Sequence, residues 1–355
     1  MKKILIVTSY MSGKGGIEKI IQRMNDTLAA KIYTLSLSDG VYDESGFFYQ
    51  KNISNINWIP KGKGKHIRLK FSNRTFNTIS HLIISFLYLA FNKVDCVVAT
   101  GPMQVNYLSK IIKLLNKNIP LYGWPHFSKD SGFGDFENFK LADRVLCISR
   151  GIMEEMRGLG IEDKKIIYFP NPFSATKKNT PCTGNVFHYV GRIQFSGQKN
   201  IKELLDALTM VNSNIVVNFI GDGPDLDYIK RYAIEKNIIE KVSFEKGWFD
   251  NPWELINESK GLILTSRFEG LPTVIGEAMS LGIPVISSDC RTGPADFIKN
   301  GCNGYLYQEG NIKELARVID DMYLNGVSLE TDGIKKSISY FYMDEYVKRF
   351  NDVFE

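Results

Sequence analysis

The sequence predicts an α/β protein built from two doubly wound, Rossmann-like domains that face a cleft. Three observations carry this. Short apolar runs alternate with amphipathic stretches from end to end, as in parallel strands joined by helices. The alternation breaks once, at Pro170-Asn171-Pro172, and the polar stretch from Ser174 to Asn185, with Pro181 and Gly184, delays its return. A chain of 355 residues is also long for one core and comfortable for two. We therefore place a first domain at residues 1–170, a second at 171–335 and a closing helix at 336–355.

Taken in order, the first-domain strands are expected at Lys3–Thr8, Ile32–Leu37, Val94–Thr100, Leu121–Trp124, Val145–Ile148 and Ile166–Phe169. Helices are expected at Ile17–Ala30, Phe76–Phe91 and Val105–Leu115. The second series of strands runs Val186–Val190, Val216–Ile220, Val242–Phe244, Leu262–Thr265, Val285–Ser288 and Gly304–Tyr307. The Gly261-Leu262-Ile263-Leu264-Thr265 run is apolar enough for a strand buried on both faces. The tail from Lys335 carries Tyr340, Phe341, Tyr342, Tyr346, Phe350 and Phe354, an amphipathic helix that needs a surface to cover.

Composition narrows the function classes. With 44% hydrophobic and 23% charged residues the chain has the profile of a soluble globular protein. Its five cysteines are dispersed and odd in number, with no C-x-x-C pair, so neither a disulfide framework nor a zinc site is expected. A reducing cytoplasm fits best. The apolar run after Met1-Lys2-Lys3 is too short for a signal peptide, and His81–Phe91 is too short to span a bilayer.

The net charge of +5 is unevenly spread. From Ser45 to Val94 there is no Asp or Glu, while Lys51, Lys61, Lys63, Lys65, Arg68, Lys70, Arg74 and Lys93 contribute eight positive charges. The Lys61–Lys70 stretch, with its glycines and interleaved apolar residues, reads as a flexible loop able to lie on an anionic membrane. The alternative is a solvated loop. Nucleic acid is not expected as a partner, since no recognised binding motif is present.

The densest chemistry lies at Ser266-Arg267-Phe268-Glu269-Gly270-Leu271-Pro272-Thr273, which follows an expected strand and opens an expected helix at Thr273–Leu281. A helix start offers free N–H groups and a positive dipole end to an anion. Glu269 sits on the loop and Glu277 one turn inside the helix. One carboxylate can hold ribose hydroxyls while the other faces a sugar, with a diphosphate between them. Arg192 and Lys199 lie on the loop after the first strand of the second domain. Two cations there can neutralise a diphosphate leaving group, Arg as a bidentate clamp and Lys as a point charge.

In the first domain Gly13-Lys14-Gly15-Gly16-Ile17-Glu18 follows strand one. Gly15 and Gly16 let the backbone approach a phosphate, but the run is neither a Walker A nor a full dinucleotide fingerprint. Asp39, after the second strand, keeps a nicotinamide reading open. His126 ends another first-domain strand in Trp124-Pro125-His126-Phe127-Ser128, and Gly221-Asp222-Gly223-Pro224 joins a second-domain strand to a helix. Trp248 and Trp253 stand where a base would lie, or simply pack.

These motifs resemble the GT-B glycosyltransferases of family 4, whose two glutamates with seven residues between them are matched by Glu269 and Glu277. Trp124 to Ser128, Gly191-Arg192 to Gln198-Lys199 and Ser287 to Cys290 look like the lipopolysaccharide 1,6-galactosyltransferase branch. The resemblance covers most of the chain from Gly15 onward and is thin between Gly40 and Lys93. It implies a GT-B fold whose last helix crosses back to the first domain. It also implies a UDP-sugar co-substrate, no metal or other cofactor, and retention of anomeric configuration. Arg192 and Lys199 match the family's pyrophosphate pair. Gly15-Gly16 match its donor-phosphate turn, His126 its donor-sugar contact and Gly221 its nucleotide-pocket turn. Gly270, Leu271, Pro272 and Thr273 fall around the sugar. A glycan or glycolipid acceptor at the inner face of the plasma membrane follows, with galactose favoured as the sugar moved. The alternatives are a nucleotide-sugar epimerase and a non-catalytic partner protein of the same fold.

Overall fold

The computed structural model describes residues 2–10, 16–38, 40–42, 48–50, 65–68, 74–132, 134–249 and 251–354. The chain divides into two compact units between Pro170 and Asn171.

The first unit runs β1 (Lys3–Tyr10), α1 (Gly16–Thr27), β2 (Lys31–Ser38), β3 (Gly40–Tyr42), β4 (Phe48–Gln50), β5 (Lys65–Arg68) and α2 (Arg74–Phe91). It continues with β6 (Cys96–Ala99), α3 (Pro102–Leu114), β7 (Leu121–Gly123), β8 (Arg144–Cys147), α4 (Arg150–Gly158) and β9 (Ile166–Tyr168). Seven of its strands form one sheet in the order β5-β2-β1-β6-β7-β8-β9, with every pairing parallel; β3 and β4 form a separate antiparallel pair. Ile4, Leu5, Ile6 and Val7 of β1 are all fully buried, because neighbours on both sides and layers on both faces cover them.

The second unit runs β10 (Val186–Val190), α5 (Ile201–Leu208), β11 (Val216–Gly221), α6 (Leu226–Glu235), β12 (Val242–Lys246), β13 (Gly261–Leu264) and α7 (Thr273–Ser280). It ends with β14 (Val285–Ser288), α8 (Pro294–Phe297), β15 (Gly304–Tyr307), α9 (Ile312–Asn325), α10 (Thr331–Ser337) and α11 (Met343–Phe354). Its parallel sheet has the order β12-β11-β10-β13-β14-β15. Successive strands move outward from β10 to one edge and then, from β13, to the other. The crevice between β10 and β13 is therefore the switch point at which such sheets bind ligands.

The Lys61–Lys70 stretch is not a loop throughout: Lys65–Arg68 is the edge strand β5, paired with β2 from Tyr33↔Lys65 to Ser36↔Arg68. A parallel edge needs only backbone N–H and C=O groups, so a run of Lys, His, Ile and Arg can serve without an apolar signature. The rest of the stretch lies outside the described residues.

The polar stretch after Pro172 is strapped to the second unit. Lys178 Nζ donates to the carbonyls of Trp253 (3.0 Å) and Ile256 (3.1 Å), and the Thr180 amide donates to the Leu281 carbonyl (2.9 Å). Phe173 is fully buried and exchanges backbone hydrogen bonds with the last segment, through Phe341 O and the Met343 amide. Gly276 of α7 lies over its ring; a Cβ there would come within 2.6 Å.

Several titratable groups are buried. Burial pushes the thiols of Cys96 and Cys290 up to about 12 and raises that of Cys147, while Cys182 and Cys302 are partly exposed. His188, inside β10, pairs through Nδ1 with Ser259 Oγ at 2.9 Å, and burial lowers its pKa to about 4. Its neutral form is favoured by folding, so the associated stability is full above pH 6.5 and is lost as pH falls from there towards 4. The slope for one such histidine approaches about 1.4 kcal/mol per pH unit. Urea unfolding of the second unit at pH 7 and pH 5 is expected to show a fall of about 2 kcal/mol from this residue, and His188→Gln should flatten it. An unchanged slope in the variant would place the acid sensitivity elsewhere.

Candidate functional site

The site assembles where the loops after β10 and β13 leave the sheet side by side. After β10 the chain turns at Gly191, whose amide donates to the Ile220 carbonyl (3.0 Å), while Tyr189 Oη donates to the Arg192 carbonyl (2.8 Å). The Phe195 amide donates to Asp225 Oδ2 (2.8 Å) and the Lys199 amide to Gln194 Oε1 (3.1 Å), so backbone groups without a ladder partner are satisfied by side chains. Asn200 then adopts φ +47° before α5 begins. Thr265 Oγ1, at the end of β13, lies 3.1 Å from the carbonyls of both Lys199 and Asn200 and ties the two loops together.

The functional side chains meet across that tie. Lys199 Nζ lies 2.6 Å from Glu269 Oε1, and both side chains are largely buried, at 16% and 9% exposure. Arg192 Nη2 donates to Gln198 Oε1 (3.2 Å), and Gln198 Nε2 donates to the Phe268 carbonyl (3.2 Å). The Arg267 amide donates back to the Gln198 carbonyl (2.9 Å). Gln198 therefore links the arginine to the glutamate loop, a role the sequence reading left unassigned. The loop is held from its other side by Ser288 Oγ, which donates to Ser266 O (2.5 Å), and by Thr292 Oγ1, which donates to Glu269 O. The charge of Glu269 adds to burial in raising the pKa of Tyr189 and of Cys290.

Gly270, Leu271, Pro272 and Thr273 form the turn into α7, whose amino end has no side-chain cap. Gly293 packs against that turn; a Cβ there would lie 2.5 Å from Pro272 Cδ and 2.9 Å from the Gly270 carbonyl oxygen. Glu277 stands one turn into α7 and accepts from Trp253 Nε1 at 3.2 Å. Trp253 is buried and Trp248 exposed, so the two tryptophans behave differently. The sequence signal for Trp253 was only its closeness to Trp248; its bond to Glu277 depends on the tertiary fold. The Gly221-Asp222-Gly223 turn, after β11, abuts the Arg192 loop from the other side, where the Ile193 amide donates to Asp222 O (2.9 Å). The chain's one Asp-x-Asp triplet, Asp225-Leu226-Asp227, holds that loop by accepting from the Phe195 amide.

In the first unit His126 follows β7 and packs edge-on against Trp124, with ring centroids 4.3 Å apart. Burial lowers its pKa to about 3, so the ring is neutral near pH 7. Its Nε2 is buried with no hydrogen-bond partner among the described residues. Gly16 begins α1, whereas Gly15 and Asp39 lie outside the described residues.

A separate cavity of about 390 Å³, bordered by Cys182, Lys260, Pro284 and Thr331, lies at the opposite edge of the second sheet. Lys260 and Pro284 immediately precede β13 and β14, so this cavity is remote from the loop cluster.

Comparison with known proteins follows the same outline. Residues 171–338 match the family described as glycosyl transferases group 1. The lipopolysaccharide 1,6-galactosyltransferase of Escherichia coli (strain K12) is 31% identical over 99% of this chain and 97% of its own length. That of Salmonella typhimurium is 33% identical over 99% and 98%. Among solved structures, the apo form of the lipopolysaccharide outer core galactosyltransferase WaaB superimposes with a TM-score of 0.85 at 30% identity, covering 99% of this chain and 98% of that one.

Proposed function

The chain belongs to the group 1 glycosyl transferases and has their GT-B fold, and on that premise we propose a specific reaction for this sugar-transferring enzyme. It moves a hexose, galactose first, from a UDP-sugar to a lipopolysaccharide-core or other lipid-linked surface glycan, with retention of configuration and without a metal. The observation that supports this most is the Lys199–Glu269 pair beside Arg192, set at the switch point of the donor-side sheet. The similar galactosyltransferases of Escherichia coli and Salmonella support galactose and the acceptor class.

In the proposed reaction Arg192 and Lys199 take the diphosphate, with the amides near Gly15 and Gly16 as further donors. Glu277, oriented by the Trp253 indole, holds the ribose, and Gly221 lines the nucleotide side. Glu269 and the free amides of Gly270, Leu271 and Thr273 orient the sugar, while Pro272 shapes the turn. The neutral His126 ring offers one hydrogen bond to a sugar hydroxyl. The acceptor oxygen bonds to the anomeric carbon as the bond to the phosphate oxygen breaks on the same face. The hydroxyl proton passes to that departing phosphate oxygen. Cation placement matters because negative charge grows on the diphosphate as the bond breaks. The acceptor's lipid would bring the enzyme to the membrane surface through its basic Lys61–Lys70 stretch.

The test is hydrolysis of a nucleotide-sugar panel read by NMR, for the native chain, Glu269→Ala and Trp253→Phe. Release of UDP with an α-configured sugar from one donor, lost in Glu269→Ala, is expected. In Trp253→Phe the donor KM should rise by about fivefold or more, the effect of one hydrogen bond to a charged group, with kcat little changed. Epimerisation of a donor without cleavage would replace this reading with the epimerase one. No binding of any donor would favour a non-catalytic partner protein.

A further inference from the structure

Helix α2 has its polarity reversed. Ile79, Ile83, Leu87 and Phe91 recur every four residues and are 48%, 53%, 45% and 83% exposed, while His81 and Ser85 on the inward face are fully buried beside Leu89. The inward polar groups have a reason to be there: His81 Nδ1 pairs with Tyr107 Oη of α3 at 2.8 Å. The outward face has no such explanation in water, where a surface helix presents its polar side. From Thr75 to Asn92 the sequence contains no Asp, Glu, Lys or Arg, so nothing charged interrupts the stripe. Its four residues span about 18 Å along the helix axis.

The charges that flank the helix in the sequence indicate what covers it. Arg74 and Lys93 bracket it, and residues 45–94 carry eight basic and no acidic residues. A second copy of the chain would bring two such segments of like charge together across a twofold interface. An anionic bilayer offers the complementary pair, acyl chains for the stripe and negative headgroups for its flanks. No helix of the described residues is long and apolar enough to cross a membrane, so α2 would lie in the surface.

We propose that the outward face of α2 seats in the headgroup–acyl boundary of an anionic membrane, with Ile79, Ile83, Leu87 and Phe91 inserted and the basic residues that flank it in the sequence among the headgroups. This deepens the reading of a lipid-linked acceptor and rests on it for the reason the enzyme visits a membrane. The surface works by burying apolar side chains first and by attraction second. Raising the salt concentration should therefore weaken binding without abolishing it, whereas a charge within the stripe should abolish it.

The experiment is co-sedimentation of the full chain with phosphatidylcholine vesicles made with and without phosphatidylglycerol. Ile83→Asp and Leu87→Asp are compared with Leu324→Asp, an exposed apolar position on α9. The native chain and Leu324→Asp should bind the anionic vesicles, and each α2 variant should bind at least about tenfold more weakly, from loss of one inserted side chain. In a second measurement, Ile83→Trp should show blue-shifted fluorescence on the vesicles, quenched by lipids brominated along the acyl chain. This readout does not depend on the aspartate variants folding. Equal binding by native chain and α2 variants, or no quenching, overturns the proposal. A native dimer in light scattering that Ile83→Asp dissolves would assign the stripe to a second copy instead. Vesicle binding is read without any sugar donor. A chain that binds vesicles but cleaves no donor keeps this surface and loses the reaction; the reverse result does the opposite.

Discussion

Lys199→Ala is expected to lower kcat for donor cleavage by about a hundred- to a thousandfold, with a smaller change in KM. Removing a group placed where negative charge develops has an effect of that order. Loss of binding felt equally in the ground and transition states would instead raise KM and leave kcat unchanged. The same substitution leaves Glu269 buried without its cation, at a cost of about 3 kcal/mol in stability. Lys199→Arg, which keeps the charge, separates the two effects: it should recover stability more fully than rate, because a planar fork does not replace a point charge in a fixed geometry. Combining Lys199→Ala with Glu269→Gln should cost less than the sum of the single changes, since the two groups are in contact. Turnover of Lys199→Ala within about threefold of the native value would remove Lys199 from the leaving-group role assigned on the basis of charge stabilisation.

Gly221→Ala is expected to cost the second unit more than about 3 kcal/mol and to compromise its folding. The added Cβ would stand 1.9 Å from the carbonyl oxygen of Gly191. Both atoms belong to strand-end turns fixed by hydrogen bonds, so no side chain can swing away. Gly301→Ala is the control: its φ of +74° is also positive, but nothing lies within 4 Å of the new atom. It should cost about 1 kcal/mol from backbone strain alone. Urea unfolding of both variants measures the difference. Values within 1 kcal/mol of each other would mean that the two turns slide apart easily, against close packing of the β10 and β11 ends.

Most strands of the parallel sheets were legible because burial on both faces favours short apolar runs, as at Ile4–Val7 and Gly261–Leu264. The edge strand at Lys65–Arg68 was not, since its pairing is entirely backbone. Helix α1 ends at Thr27, three residues before the expected Ala30. In the site, each charged residue was found from its loop, but the ion pair between Lys199 and Glu269 was not. Those residues are 70 positions apart, and they meet because β10 and β13 are neighbours in the sheet. Strand order is a global property that no local pattern encodes. The links through Gln198 and Trp253 were missed for the same reason.

The placement of the thiols has a practical side. Three of the five cysteines are sealed within the two units, and the two that solvent can reach, Cys182 and Cys302, both belong to the second. A maleimide dye or a tethered surface would thus attach to that unit alone. The first unit, with the α2 stripe, would stay chemically unmodified. The native chain already has the asymmetric handles needed to anchor it by one unit and watch what the other touches.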